Sequence, residues 1–272
     1  MCAVVFGCIT PHPPVLVPEV GGVRTSEVEA TIRGLEALGL ELAEARPEAL
    51  LLVSPHGAGH RHAMGVLTAG SSGGSFMSWG TRGLDFAYKN DLALVQALLE
   101  EAEETDLPLH PIGEDGYDLD WGVLVPMYFL GGGVAGTTLT PLTFSALPLS
   151  AHLSFGHVIH RAAARLGRRV AVIASGDLSH RLLPGAPAGY DPLGQVFDQK
   201  LVDALRAYDR EAVLNLDRDL VARAGECGLR SIVILLGALE GLQVTPKVLS
   251  YEGPFGVGYL VASFRVRNAS VR

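Results

Sequence analysis

Several features are scarce in this chain of 272 residues, and each scarcity excludes a class of protein. The three cysteines, Cys2, Cys8 and Cys227, form no Cys-x-x-Cys pair and no even disulfide framework, so we expect a reducing, cytoplasmic compartment. Lysine and arginine total 21 against 29 acidic residues, a net charge of −8, whereas a nucleic-acid-binding protein carries a basic face. No apolar run is long enough to cross a bilayer. We therefore expect neither nucleic acid nor a membrane as partner.

The composition is otherwise that of a globular protein, with 48% hydrophobic and 18% charged residues. No repeat, low-complexity tract or linker divides the sequence, so we expect a single domain over residues 1–272. The apolar N-terminus lacks a basic region and a small-residue cleavage site. We interpret it as the first core strand and not as a signal peptide.

Three apolar segments each lead to a histidine shortly after the apolar run ends. They are residues 4–9 before His12, residues 50–53 before His56, and residues 170–174 before His180. Uninterrupted apolar runs of this length are typical of strands that are buried on both faces. In open α/β sheets, ligands bind at the carboxyl ends of the strands. The sequence therefore predicts a site at that edge of a sheet.

Helical and strand patterns alternate along the chain, which predicts a three-layer α/β/α domain. The closing strands, near residues 243–251 and 257–266, follow each other without a helix, so we expect a mixed central sheet. Residues 70–83, rich in glycine and serine, are predicted to be a flexible loop. His152, His157 and His160 are predicted to be surface residues of one amphipathic helix, with Ser150 as its N-cap.

Metal-ligand chemistry is the first hypothesis for the strand-end residues. Two imidazoles and one carboxylate, with open positions, are the ligand set of non-haem Fe(II) oxygenases. His12 and His56 supply the imidazoles, and Asp177 or Glu226 supplies the carboxylate. Glu226 is also explained as a carboxylate at a helix N-terminus, and its neighbour Cys227 is an alternative ligand.

A general base is the second role that these residues suggest. His180 follows a buried strand in the segment Gly176-Asp177-Leu178-Ser179-His180. Its unperturbed pKa lies near neutrality, which suits proton transfer beside a metal. His62, on a glycine-rich turn, is a weaker candidate for contact with a substrate.

Six motifs, in order over nearly the whole chain, resemble the class III extradiol ring-cleavage dioxygenases of the LigB type. They are Thr10-Pro11-His12-Pro13-Pro14, Ser54-Pro55-His56-Gly57, Leu119-Asp120-Trp121-Gly122 with Val125-Pro126, Ser175-Gly176-Asp177-Leu178-Ser179-His180, Gly225-Glu226-Cys227-Gly228, and Gly256-Val257-Gly258-Tyr259.

This resemblance implies a LigB-like fold with Fe(II) bound by His12, His56 and Glu226, and His180 as the acid/base. The implied reaction inserts both atoms of O₂ into a catechol or 2-aminophenol ring, next to the vicinal pair. Zinc or an empty site is the expectation after aerobic purification. The resemblance also implies a homodimer or pairing with a small A-type subunit. We assign Trp121, Asp177 and His62 to the pocket for substrate or oxygen.

One departure from the family pattern concerns Trp121, which stands where the family has an active-site histidine. An indole can stack on an aromatic ring but cannot accept a proton. The related Memo proteins use a cysteine where the dioxygenases use glutamate, and this chain has both Glu226 and Cys227. The second hypothesis is therefore a Memo-like metal-binding accessory or interaction protein without ring cleavage. A zinc hydrolase on the same ligands is disfavoured, because nothing in the chain supplies an evident oxyanion hole.

Overall fold

Strands from both ends of the chain meet in one eight-stranded sheet. The computed structural model of the protein describes residues 3–113 and 117–267, so Cys2 lies outside the described residues. The strands in these ranges are β1 (Val4–Thr10), β2 (Ala49–Ser54), β3 (Met64–Leu67), β4 (Ser71–Ser75), β5 (Asp85–Lys89), β6 (Leu109–Ile112), β7 (Tyr117–Asp118), β8 (Thr138–Thr143), β9 (Val170–Ser175), β10 (Val244–Glu252) and β11 (Tyr259–Val266).

Helices alternate with these strands over most of the chain. They are α1 (Pro18–Gly21), α2 (Glu29–Ala45), α3 (Leu92–Glu104), α4 (Trp121–Leu130), α5 (Leu149–Leu166), α6 (Pro192–Ala207), α7 (Arg210–Leu214), α8 (Arg218–Ala224) and α9 (Leu229–Ala238). Pro192 opens α6 in its first turn, where a missing N–H costs nothing. Asp91 caps α3 by accepting a hydrogen bond from the backbone N–H of Leu94 at 3.1 Å.

The main sheet has the strand order β10-β11-β1-β9-β2-β8-β3-β6. Its central strands β1, β9, β2 and β8 are parallel, whereas β11 pairs antiparallel with β1 and β3 pairs antiparallel with β8. The prediction of a mixed sheet is therefore confirmed. Because β9 lies between β1 and β2, the carboxyl ends of these three strands are neighbours at one edge.

Both faces of the sheet are covered, which explains the uninterrupted apolar runs. Along β2, Leu51 and Val53 belong to the core beneath α3, α5, α6 and α9, whereas Leu50 and Leu52 belong to the core beneath α2 and α4. Successive side chains of a strand point to opposite faces, so both sets are buried. The three-layer α/β/α prediction is confirmed.

The prediction of a loop over residues 70–83 is wrong for residues 71–75. Residues 71–75 form β4, which pairs antiparallel with β5 and parallel with β7 in a separate three-stranded sheet. The glycines of β4 reflect close backbone approach. A Cβ on Gly73 would lie 2.7 Å from the carbonyl oxygen of Phe86.

Two expectations about α5 are also corrected. His152 is fully buried, and its ring nitrogens lie 2.9 Å from the carbonyl oxygen of Pro148 and 3.2 Å from that of Ser145. An amphipathic pattern assigns core positions to apolar residues. A histidine can also occupy such a position when backbone carbonyls lie within reach of its ring nitrogens. Ser150 lies inside the helix, whose N-cap is Pro148.

Candidate metal centre

Three polar side chains extend from the carboxyl ends of neighbouring parallel strands. His12, His56 and Asp177 each lie two residues beyond the last residue of β1, β2 and β9, respectively. Parallel strands end at the same edge of the sheet, so the equal offsets bring these residues to a common point. His12 and Asp177 are buried, and His56 is exposed at the rim.

The imidazoles of His12 and His56 face each other. Their Nε2 atoms are 3.0 Å apart and their ring planes meet at 77°. Burial lowers the pKa of His12 well below its ordinary value, with further lowering from the neighbouring His56 and His180. Burial also lowers the pKa of His56, so both rings are neutral at neutral pH, the form that binds metals.

Ser175 fixes the tautomer of His12. The Ser175 hydroxyl donates its one hydrogen to the carbonyl oxygen of Gly122 at 2.5 Å. It must therefore accept from His12 Nδ1–H, which lies 2.9 Å away. This leaves the Nε2 lone pair of His12 directed at His56. A hydrogen bond to the non-ligating nitrogen is the usual outer partner of a metal-bound histidine.

Cys227 and Glu226 are adjacent in sequence but point to different surroundings. Cys227 Sγ lies 3.7 Å from His12 Nε2 and accepts a hydrogen bond from the backbone N–H of Asp177 at 3.2 Å. The Glu226 carboxylate accepts a hydrogen bond from the N–H of Leu229, the first residue of α9, at 2.6 Å. The structure thus brings together His12, His56 and Cys227, whose ligand atoms lie within 4.8 Å of one another.

The donor set fits a divalent transition metal. Two metal–nitrogen bonds of about 2.1 Å span the observed Nε2–Nε2 distance at an angle of about 90°. Burial, followed by the nearby Asp177 carboxyl, raises the pKa of the Cys227 thiol far above neutrality. Such a thiol ionises when a cation replaces its proton, which couples metal binding to proton release.

Asp177, which is buried, and His180, which is half-buried, complete the polar cluster. Asp177 Oδ1 accepts a hydrogen bond from the backbone N–H of His12 at 3.2 Å, and Oδ2 lies 4.0 Å from His180 Nε2. Burial raises the pKa of Asp177 to about 7. His180 Nδ1 donates to the carbonyl oxygen of Leu178 at 3.1 Å, so in the neutral ring the lone pair is on Nε2. Burial lowers the pKa of His180, which keeps that lone pair available at neutral pH.

A hydrogen-bond chain fixes the turn that carries His56. Ser54 Oγ accepts from the backbone N–H of His56 at 3.2 Å and donates to Asp120 Oδ1 at 2.6 Å. The same carboxylate caps α4 by accepting from the N–H of Gly122 at 2.7 Å. A Cβ on Gly122 would overlap Ser54 Oγ, so the close approach of α4 to β2 requires glycine.

Two tryptophan rings adjoin the exposed His56. The indole of Trp121 lies against the imidazole of His56, and Trp79 meets Trp121 edge to face at 6.1 Å between ring centroids. His62 is exposed, with its ring centroid 6.2 Å from that of His60. Sequence reasoning missed Ser175 and Trp79. Ser175 lies inside one of the six motifs, whereas nothing in the sequence singles out Trp79.

No helix in the described ranges is both long and apolar enough to span a bilayer.

Comparisons with known proteins were made against family models, curated proteins and solved structures. A family model described as "Catalytic LigB subunit of aromatic ring-opening dioxygenase" matches residues 7–262. Protein CA_C1420 of Clostridium acetobutylicum is 34% identical over 258 residues, which are 92% of this chain and 55% of that protein. The chain thus spans about half the length of this curated relative.

A solved structure extends the comparison to the fold. The crystal structure of an uncharacterized protein, JW3007 of Escherichia coli K12, matches with a TM-score of 0.65 and 19% identity. The match covers 95% of this chain and 99% of that one. At this level of identity, the likeness concerns the fold alone.

Proposed function

The chain belongs to the family of catalytic LigB subunits of aromatic ring-opening dioxygenases, and from this membership we propose that it is an Fe(II)-dependent extradiol dioxygenase. Its substrate is a small catechol or 2-aminophenol, and O₂ is the oxidant. The observation that carries the proposal is the pair of neutral imidazoles with Nε2 atoms 3.0 Å apart.

We assign the metal to His12, His56 and Cys227. The approach of Cys227 Sγ to His12 supports the cysteine as third ligand, and the hydrogen bond from Leu229 to Glu226 supports a capping role for the glutamate. When bound, Fe(II) supplies neighbouring positions for the vicinal oxygens of the ring and for O₂. A set of three protein ligands is compatible with this chemistry because it leaves positions open.

His180 is the proposed base. Its Nδ1–H is held by the Leu178 carbonyl, so Nε2 is the atom that takes the phenolic proton. The lowered pKa of His180 keeps this nitrogen unprotonated at neutral pH. Trp121 supplies an apolar wall on which an aromatic ring can stack, beside His56.

The test uses anaerobically Fe(II)-loaded protein, exposed to O₂ with a panel of catechols and 2-aminophenols. We expect O₂ consumption and a coloured ring-opened product. His180→Ala should slow the reaction by about 10²–10⁴-fold while the ion at His12, His56 and Cys227 is retained, because a base contributes that much and His180 is not a ligand of that ion. His157→Ala is the control. His157 pairs with Glu240, and its replacement should not change the rate of the reaction. Absence of O₂ consumption across the panel would refute the dioxygenase.

A second function is favoured by Cys227 and by the indole against His56. We infer that the alternative is a Memo-like protein, which binds metal without cleaving rings. Such a protein would have a thiol ligand, here Cys227, and an indole beside the metal, here Trp121, that leaves less room for a substrate. Trp121→His separates the two functions. Metal binding without O₂ consumption in both the wild type and Trp121→His supports the accessory protein. Activity in the wild type excludes it.

A homodimer, or a complex with a small A-type subunit, stays a prediction from the family resemblance. Light scattering of the purified chain, alone and with a candidate subunit, measures either assembly.

A further inference from the structure

Cys227 Sγ belongs to two groups of ligand atoms. The first group contains His12 Nε2 and His56 Nε2, already assigned to the metal. The second group contains Asp177 and His180, whose ligand atoms lie within 4.8 Å of each other and of the sulfur. The two groups adjoin, since Asp177 Oδ2 lies 3.7 Å from His12 Nε2. The site therefore offers more donors than one three-ligand ion requires.

The second group offers an oxygen and a nitrogen atom that can bind a cation. Asp177 uses Oδ1 for the backbone N–H of His12, which leaves Oδ2 without that donor. His180 uses Nδ1 for the Leu178 carbonyl, which leaves Nε2. These two acceptor atoms are 4.0 Å apart, too far for a hydrogen bond and close enough to share a cation.

A single ion that bound all five donors would have almost no position left for a substrate. Two ions that share a thiolate satisfy every donor with three protein ligands each. The mixture of imidazole, carboxylate and thiolate suits zinc and similar divalent ions. Neighbouring ions in two-metal sites are commonly about 3.5–4 Å apart, a spacing that one bridging sulfur allows.

We propose that a second divalent transition-metal ion binds Asp177 Oδ2, His180 Nε2 and Cys227 Sγ, with Cys227 bridging it to the first ion. Occupation of this second site uses the lone pair of His180. Excess metal therefore inhibits the ring-cleavage reaction, by up to the contribution of the base, about 10²–10⁴-fold. This consequence for activity rests on the function proposed above, whereas the second binding site does not.

In the experiment, metal-free protein is loaded with Co²⁺ under anaerobic conditions. The bound Co²⁺ is then counted by elemental analysis after gel filtration and by absorption of the cobalt–thiolate. We expect two equivalents in the wild type. His180→Ala and Asp177→Asn should each bind one. His56→Ala, which changes only the first group, should keep the other equivalent, and His56→Ala combined with His180→Ala should bind none.

A surface control addresses adventitious binding. His60 and His110 are exposed, with ring centroids 4.7 Å apart, and such a pair can capture cobalt. His60→Ala should retain both equivalents. Circular dichroism of each variant checks that it is folded.

The outcomes separate the second site from the first. A wild type that binds one equivalent, lost in His56→Ala, overturns the second site and leaves the proposed function intact. A second equivalent that persists in both His180→Ala and Asp177→Asn, or that is lost in His60→Ala, also overturns it. No binding at all refutes both proposals.

Discussion

The indole of Trp121 lies 4.3 Å from the imidazole of His56, centroid to centroid, with 31° between the ring planes. The chain has two tryptophans, Trp79 and Trp121, so fluorescence can report the metal site through its ligand. We expect Co²⁺ to quench the emission in the wild type and in Trp79→Phe, and to quench it far less in Trp121→Phe. Zn²⁺, with a filled d shell, serves as the control that leaves the emission nearly unchanged. Equal quenching in both variants would contradict this arrangement.

Ser175→Ala should weaken metal binding without removing a ligand. The variant leaves His12 Nδ1–H without its acceptor and frees the ring to adopt another tautomer. Loss of such an outer partner costs about 10–100-fold in metal affinity. Isothermal titration with Zn²⁺ measures the change. Ser231→Ala removes another buried serine hydroxyl, which has no hydrogen-bond partner among the described residues, and should leave the affinity unaltered.

Cys227→Ser and Glu226→Gln distinguish the two candidate third ligands. Cys227→Ser should reduce metal affinity by more than about 100-fold, beyond the effect of an outer partner. Glu226→Gln should keep the affinity and lower the free energy of unfolding by about 0.3–1 kcal/mol, because a charge is lost from the N-terminus of α9. Competition with a chromophoric chelator and urea unfolding give the two quantities. The reverse pattern would restore Glu226 as the ligand.

Asp198→Asn should alter the pH dependence of stability. Asp198 accepts hydrogen bonds from the Ser179 N–H at 2.8 Å and the Tyr251 hydroxyl at 2.7 Å, and burial raises its pKa to about 7. The native state thus holds this proton at a pH where the unfolded chain, with a pKa of about 3.9, has lost it. The protonated Asp198 therefore contributes fully to the free energy of unfolding below about pH 4. This contribution is lost as the pH rises towards 7.

Urea unfolding of metal-free protein across this range measures the effect. The wild type should lose more stability than Asp198→Asn, by about 1.4 kcal/mol for each unit of pKa difference. Asp203→Asn changes an exposed aspartate of the same helix and should follow the wild type. Parallel pH profiles for wild type and Asp198→Asn would show that burial does not perturb this carboxyl.

The edge of the sheet that carries the site could be predicted, because apolar runs ended by proline or glycine place His12 and His56 just after buried strands. The choice between Glu226 and Cys227 as the third ligand could not be made from the sequence. Glu226 and Cys227 are neighbours, and which of them faces His12 depends on where α9 begins, a detail set by tertiary packing.

Predicting the hydrogen-bond partner of His12 requires knowledge of the strand order. Ser175 reaches His12 because β9 pairs directly with β1, with Thr10 opposite Ser175. No local pattern encodes that pairing. Trp79 could not be predicted for a similar reason. It follows β4, which is rich in serine and glycine, has weak strand propensity and forms through pairing with β5. The single domain over residues 1–272 and the cytoplasmic location stay predictions.

The approach of Cys227 to His12 spans 215 positions of the chain. During synthesis, the first histidine leaves the ribosome long before the cysteine exists, and contacts of such separation form late because they close long loops. A zinc finger uses its metal to start folding. Here the order is reversed: the sheet must assemble before the ligands meet, so the ion enters a finished protein and an apo chain should fold first and be loaded afterwards.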